Sequence, residues 1–160
     1  MSGNGKAKAL LPAGAAFALL LGFSAPIEAA KICGWLVESN EPNDVRSLDL
    51  WLESDEDIDF LYKIGGDGIV TDSGKSNSPA SATYTLAAGK PSKAWGFGST
   101  LGSAGKIDVS VELHQTPDDI FSNAPTPLLA RFVFQRNIPA SEKQPPMTLS
   151  KRQCATVPGR

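Results

Sequence analysis

The chain has 160 residues and a formal net charge of −2, from 15 basic and 17 acidic side chains. This length corresponds to one domain, and the mildly acidic balance argues against a nucleic-acid partner, because proteins that bind nucleic acids are strongly basic. One histidine allows no multi-histidine metal site, and two cysteines at positions 33 and 154 form no C-x-x-C redox motif. We therefore expect no enzymatic activity, no cofactor and no metal.

The N-terminal segment has the pattern of a secretory signal peptide. Lys6 and Lys8 precede an apolar run at 10–23, and small residues follow that run. The run is too short to span a bilayer comfortably. We therefore predict that residues 1–30 are removed on export to the periplasm, and that 31–160 fold as one domain without stable membrane association. The alternative is an anchor that stays in the membrane.

The two cysteines, Cys33 and Cys154, lie near the two ends of the predicted mature chain. An even number of cysteines in an exported protein favours a disulfide, and only one intramolecular pairing is possible. In the chain-entropy model, closing a loop of about 120 residues stabilises the fold by roughly 4–5 kcal/mol. We predict this bridge; the alternative is two thiols that never meet.

Alternating apolar and polar residues predict strands along most of the mature chain. The clearest are 46–53, with three leucines on one face, and 107–113. The other predicted strands, in chain order, are 32–37, 58–64, 69–71, 83–86, 93–101 and 128–135. An edge strand within 147–155 would bring Cys154 back towards Cys33.

Glycine-rich and polar segments separate these strands. Gly65 to Gly68 predict a tight reversal of the chain, residues 72–78 predict a flexible polar loop, and an irregular C-terminal extension is expected from about residue 137. Seven to nine short strands with regularly spaced turns indicate an all-β fold, an immunoglobulin-like antiparallel β-sandwich. A small barrel is the alternative.

Two polar features are candidates for chemistry. The acidic segment 53–59 contains D-x-D-x-D but lacks the glycine and glutamate that a helix-loop-helix calcium site requires, which favours a solvated turn. His114, the single histidine, ends a predicted strand, and no G-x-S-x-G motif accompanies it. We expect His114 to be structural or exposed.

Several aromatic residues allow a second function. Trp51 and Trp95, together with nearby tyrosines and Phe97, either fill the core or form a platform for sugars. An exported module that recognises cell-surface polysaccharide is therefore the alternative function. Exposed, coplanar rings of Trp51 and Trp95 would favour it, and buried rings would exclude it.

Four segments resemble the curli assembly family of the CsgC/CsgH type: 62–64 (YKI), 73–78 (SGKSNS), 84–89 (YTLAAG) and the strand at 105–113. The resemblance implies a small exported β-sandwich that keeps the amyloidogenic curli subunit from polymerising before secretion. Some members carry a Cys-x-Cys pair on a strand, where this chain has Phe-Leu-Tyr at 60–62. A redox role tied to that pair is therefore not implied.

From this resemblance we expect a monomeric, chaperone-like inhibitor with the curli subunit as its partner. Charges that alternate along the strands would prevent the inhibitor from templating fibrils itself. The residues predicted to bind the partner are Tyr62, Lys63, Lys75, Asn77, Lys90 and Lys93.

Overall fold

The computed structural model describes residues 29–41, 45–71, 74–100, 105–118, 124–139 and 147–158. These residues form antiparallel strands and no helix. The strands are β1 (Ala30–Glu41), β2 (Val45–Ser54), β3 (Ile58–Thr71), β4 (Gly74–Ser76), β5 (Ala80–Leu86), β6 (Ser92–Thr100), β7 (Gly105–Gln115), β8 (Leu128–Ile138), β9 (Met147–Leu149) and β10 (Gln153–Val157). Residues 1–28 of the predicted signal peptide lie outside the described residues. Ala30, the last residue of that predicted segment, pairs with Val157 of β10.

The strands form two sheets that pack face to face. Sheet A has the order β10-β1-β2-β6 and sheet B the order β4-β3-β7-β8. Both β9 and β10 pair with β1, and both β4 and β5 pair with β3, each covering a different part of the longer strand. The described segments thus fill eight strand positions, which confirms the predicted β-sandwich of seven to nine strands. Pairing of β2 with β6 and of β3 with β7 gives the Greek-key connections of immunoglobulin-like domains.

The core lies between the two inner faces. Leu48, Leu50 and Leu52 of β2 are fully buried, as their alternation predicts. They face the inward residues of sheet B, which are spaced by two along each strand. The fully or nearly fully buried residues of β3, β7 and β8 include Phe60, Ile69, Ile107, Val109, Val111, Leu113 and Phe132.

The glycine-rich segment within β3 does not reverse the chain. The strand continues from Ile58 to Thr71, and its register with β7 shifts between Gly65 and Gly68. Gly66 and Gly68 have φ angles of 94° and 69°. The predicted reversal is therefore wrong: the positive φ angles form a β-bulge, which requires the same residue type as a tight turn.

Two segments that the sequence predicts to be irregular contain strands. Gly74–Ser76 form β4 against the end of β3, so the loop predicted at 72–78 is wrong for these residues. Beyond residue 137 the described residues contain the end of β8 and both β9 and β10, so the predicted irregular extension is wrong for these residues. The edge strand predicted within 147–155 corresponds to β9 and β10, which pair with β1 and bring Cys154 to Cys33. Strands of three residues are too short for alternation to reveal them.

The predicted disulfide is present. Cys33 of β1 and Cys154 of β10 are directly opposite each other in the strand register, with Cα atoms 4.0 Å apart. The bridge joins residues 121 positions apart in sequence. It therefore fixes the C-terminal strand β10 to the first strand of the domain.

An ion cluster that the sequence analysis missed joins the two sheets. Glu38 of β1 is 7% exposed and Arg46 of β2 is 2% exposed. The Glu38 carboxylate accepts hydrogen bonds from Arg136 of β8 at 2.9 and 2.6 Å and from Arg46 at 3.3 Å. The sequence did contain a signal for this cluster. Glu38 and Arg136 each lie two positions after an apolar residue that faces the core, and residues two apart on a strand point to the same face.

Candidate functional site

The side of the sandwich where β8 and β10 meet is closed. The side-chain amide of Gln153 in β10 donates to the carbonyl oxygen of Val133 in β8 at 2.6 Å, and its oxygen accepts from the Val133 N–H at 3.1 Å. The Cys33–Cys154 disulfide holds β10 in place. An incoming strand would therefore have to displace β10 to reach this part of β8.

Among the described residues, the opposite side, between β5 and β6, is closed only near the turn that joins these strands. There the Tyr84 hydroxyl donates to the carbonyl oxygen of Lys93 at 2.9 Å and lies 2.5 Å from the Ser92 hydroxyl. Beyond this point, the part of β6 from Ala94 to Gly98 has a strand neighbour on one side only, β2, among the described residues. We call residues 94–98 the β6 edge.

The β6 edge has few of the features that usually prevent strand addition. Natural edge strands are protected by charged side chains, by proline, by shortness or by β-bulges. The register of β6 with β2 shifts at Ala94, so a bulge lies at the start of the edge, and Trp95 to Gly98 pair regularly with β2. Residues 94–98 read AWGFG, without a charge or a proline, and β6 has nine residues. An exposed strand edge of this kind is able to pair with an extended segment of another chain.

The two faces of the β6 edge differ. On the inner face, Trp95 is 8% exposed and stacks on the partly buried Phe97, with ring centroids 6.0 Å apart. On the outer face, Gly96 and Gly98 are exposed and carry no side chain. The ion pair of Lys93 with Asp49, 2.8 Å long, lies beside Gly96. The edge therefore presents aromatic side chains towards the core and an uncovered main chain towards solvent.

Of the six residues predicted to bind a partner, three lie on or near β3. Tyr62 is 8% exposed and belongs to the core, so the expectation of a surface tyrosine is wrong. Its position in the apolar alternation with Phe60 and Ile64 determines this burial. Lys63 points outward from sheet B, opposite Glu112, and Asn77 is exposed and donates to the Gly66 carbonyl at 3.4 Å.

Of the other three predicted residues, Lys75 lies near Asn77, on a strand that pairs with β3, whereas Lys90 and Lys93 are separated from them. Lys75 of β4 forms an exposed ion pair with Asp67 at 2.7 Å. Lys90 is exposed in the turn between β5 and β6, and Lys93, the second residue of β6, pairs with Asp49. The structure therefore does not bring the six residues into one site, and Lys93 is the member that adjoins the β6 edge.

The predicted sugar platform of Trp51 and Trp95 does not form. Trp95 is buried on the inner face of sheet A, whereas Trp51 is half-buried on the outer face. Trp51 instead lies opposite Trp35 in the strand register. The Arg152 guanidinium carbon lies 4.1 Å from the centre of the Trp35 ring. Arg152 therefore occupies a face of Trp35 on which a sugar would have to stack.

His114 has a structural environment. It is 9% exposed, with Nδ1 lying 3.0 Å from the Thr126 carbonyl oxygen and Nε2 lying 3.2 Å from a Glu112 carboxylate oxygen. These contacts connect the end of β7 to the segment that precedes β8. The sequence-based expectation of a structural histidine fits this placement.

The acidic residues of segment 53–59 bind neighbouring groups of the protein. Asp55 and Asp57 accept main-chain hydrogen bonds from Lys31 and Ala88, at 2.6 and 2.8 Å. Across the described ranges, no three histidine, cysteine, aspartate or glutamate side chains are grouped in a way that could hold a metal ion.

Comparison with known proteins gives no relative: no family model, curated protein or solved structure matches the chain. Within the part of the chain that the structure describes, no helix is long and apolar enough to cross a membrane. The function must therefore be argued from the geometry of the β6 edge and from the sequence itself.

Proposed function

We propose that this protein is an exported, periplasmic inhibitor that binds amyloidogenic curli subunits and prevents premature fibril assembly. The resemblance of four sequence segments to the curli assembly family supports the choice of partner. The disulfide supports an oxidising compartment, because such bridges persist there and are rare in the cytosol. The predicted signal peptide at 1–30 supports the same location.

The observation that carries the proposal is the β6 edge. Amyloid-forming segments are rich in residues that favour strands, carry little charge and expose unpaired main-chain groups. Such a segment is able to add to an exposed strand, where main-chain hydrogen bonds supply affinity. Binding one segment at residues 94–98 would remove it from the pool that forms fibril nuclei.

An inhibitor of this kind must not become a template itself. The outer face of sheet B carries charges of both signs, with Lys63 of β3 directly opposite Glu112 of β7 and Asp59 four residues before Lys63 on β3. The β8 side is closed by β10. Strand addition is thereby hindered at this part of β8, which opposes growth of a continuous sheet through the molecule.

Fibril growth of a purified curli subunit, followed by the fluorescence of an amyloid-binding dye, tests the proposal. The protein, purified from the periplasmic fraction, is added well below one equivalent, and a disulfide-bonded β-sandwich of unrelated sequence is the control. We expect a longer lag phase with the protein and no change with the control. Unchanged kinetics at equimolar protein would contradict the proposal.

A further inference from the structure

We infer that the β6 edge selects its partner by side-chain size: it takes an extended, uncharged segment with large side chains on both faces, one of which covers Gly98. The edge and its chemistry are read from the structure, while the identity of the partner as a curli subunit rests on the proposed function. The inference names which strand of the sandwich docks and which residue pattern it accepts.

The outer face provides the first part of the selectivity. Among the described residues, the atom nearest to a Cβ placed on Gly98 would be Cγ1 of Val45, at 3.4 Å. The main chain is therefore bare at this position, and the adjacent surface is apolar. A large side chain on a docked strand, directly opposite Gly98, would cover this main chain, as aromatic residues do when they pack over glycine in an edge strand.

At Gly96 the situation differs. A Cβ there would lie 2.7 Å from the Asp49 carboxylate and 2.9 Å from Cε of Lys93, because their ion pair occupies the space above this glycine. The pair leaves no net charge beside the docking position. An ionised side chain in the partner would therefore lose hydration without gaining a counter-charge, which favours an uncharged segment.

The inner face provides the second part. Phe97 is partly buried and stacks on Trp95 at the open margin of the core. A side chain of the docked strand that points inward would pack against the remaining exposed part of Phe97 and remove apolar surface from water. A proline in the segment would remove a main-chain donor from the new ladder. These requirements match the composition of amyloid-forming segments.

A second copy of this chain fits the edge less well than such a segment. If two β6 edges paired, the outward positions of the added strand would again be Gly96 and Gly98, and neither carries a side chain. The bare main chain would stay uncovered. The chemistry of the edge therefore favours a partner strand with large outward side chains.

The experiment uses the full exported protein labelled with ¹⁵N and a capped peptide with tyrosine and valine alternating in its centre and a lysine at each end. We expect the peptide to shift the amide signals of residues 94–98. Gly98→Lys adds a charged side chain where space exists, and we expect it to weaken peptide binding about tenfold or more. Ser110→Lys, on the central strand β7, is the matched control and should bind like the wild type.

A second peptide series keeps the test independent of how the variants fold. Replacing the central tyrosines by glycine, or one central residue by proline, should abolish the shifts in the wild-type protein. Equal binding of the glycine-substituted peptide, or shifts confined to β5 or to the outer face of sheet B, would overturn the inference. Self-association through β6 that excludes the peptide would overturn the choice of occupant.

Failure of this inference is distinguishable from failure of the proposed function. If the wild type and Gly98→Lys both delay curli fibrils equally, the function stands and the β6 edge is not the docking site. If the peptide binds the β6 edge selectively but the wild type leaves curli fibril growth unchanged, the docking surface stands and the curli subunit is not its partner.

Discussion

The side-chain amide of Gln153 forms both hydrogen bonds with the main chain of Val133 that a neighbouring strand would form, at 2.6 and 3.1 Å. This contact connects β10 of sheet A to β8 of sheet B. It explains why the two sides of the sandwich differ, since one is held together by this amide and the disulfide, and the other leaves the β6 edge exposed.

The first prediction concerns this contact. Gln153→Leu removes two hydrogen bonds, each contributing about 1 kcal/mol, so we expect faster amide exchange at Val133 and a loss of about 1–2 kcal/mol in the free energy of unfolding. Hydrogen exchange and urea unfolding measure these effects. Gln135→Leu on β8 is the control, because within the described residues the Gln135 amide donates to the Asp108 side chain rather than to a main chain. Equal effects of both variants would contradict the role of Gln153.

The second prediction separates backbone conformation from space at two glycines. Gly68 and Gly89 have nearly the same φ, 69° and 67°. A Cβ on Gly68 would overlap the carbonyl oxygen of Ser76, whereas a Cβ on Gly89 would meet nothing within 4 Å. We expect Gly89→Ala to cost about 1–2 kcal/mol, the usual penalty for a left-handed residue, and Gly68→Ala to cost clearly more. Thermal unfolding of both variants checks this, and equal losses would argue against the bulge geometry.

The third prediction concerns the buried ion cluster. Glu38→Gln keeps the shape of the side chain but removes the charge that Arg46 and Arg136 contact. Removing one partner of a buried ion pair costs about 3–5 kcal/mol. The control is Glu53→Gln, whose carboxylate pairs with the exposed Arg152 at 2.9 Å; exposed pairs contribute about 1 kcal/mol or less. Denaturant unfolding compares the two, and a small effect at Glu38 would contradict the structure.

The fourth prediction concerns pH. The hydrogen bond from Lys106 at 2.6 Å, together with the Gln135 amide, lowers the pKa of the Asp108 carboxyl below its ordinary value, although partial burial opposes the shift. A lowered pKa stabilises the folded state above the unfolded-state pKa, and this contribution is lost as the pH falls through the folded-state pKa. We expect Lys106→Met to raise the Asp108 pKa, measured by NMR titration of the carboxyl carbon. An unchanged pKa would remove Lys106 as its cause.

Alternation predicted the core well because each strand buries one face. Leu48, Leu50 and Leu52 lie inside as the spacing requires, and the same rule buries Tyr62, one of the residues predicted to bind the partner. The rule does not distinguish a bulge from a turn, since both use glycine at positive φ, and the segment at Gly66 was therefore misread. Nor does it predict a charge on an inward position such as Glu38.

The candidate site shows a different limit. The sequence predicted a strand at 93–101, but not that this strand ends a sheet. Whether a strand is central or at an edge depends on pairing between distant segments, here β2 with β6, and alternation within one strand carries no information on that pairing. The predicted lysines were therefore chosen by exposure alone and lie on different parts of the surface.

The central claim is that this protein delays amyloid assembly by pairing with strand-forming segments. The most direct test is the lag phase of curli-subunit fibril growth with the wild-type protein present well below one equivalent. The account predicts a lag that lengthens with each addition, because the protein acts on nuclei or early oligomers that are fewer than the monomers. Growth curves that stay superimposable up to an equimolar amount would contradict it.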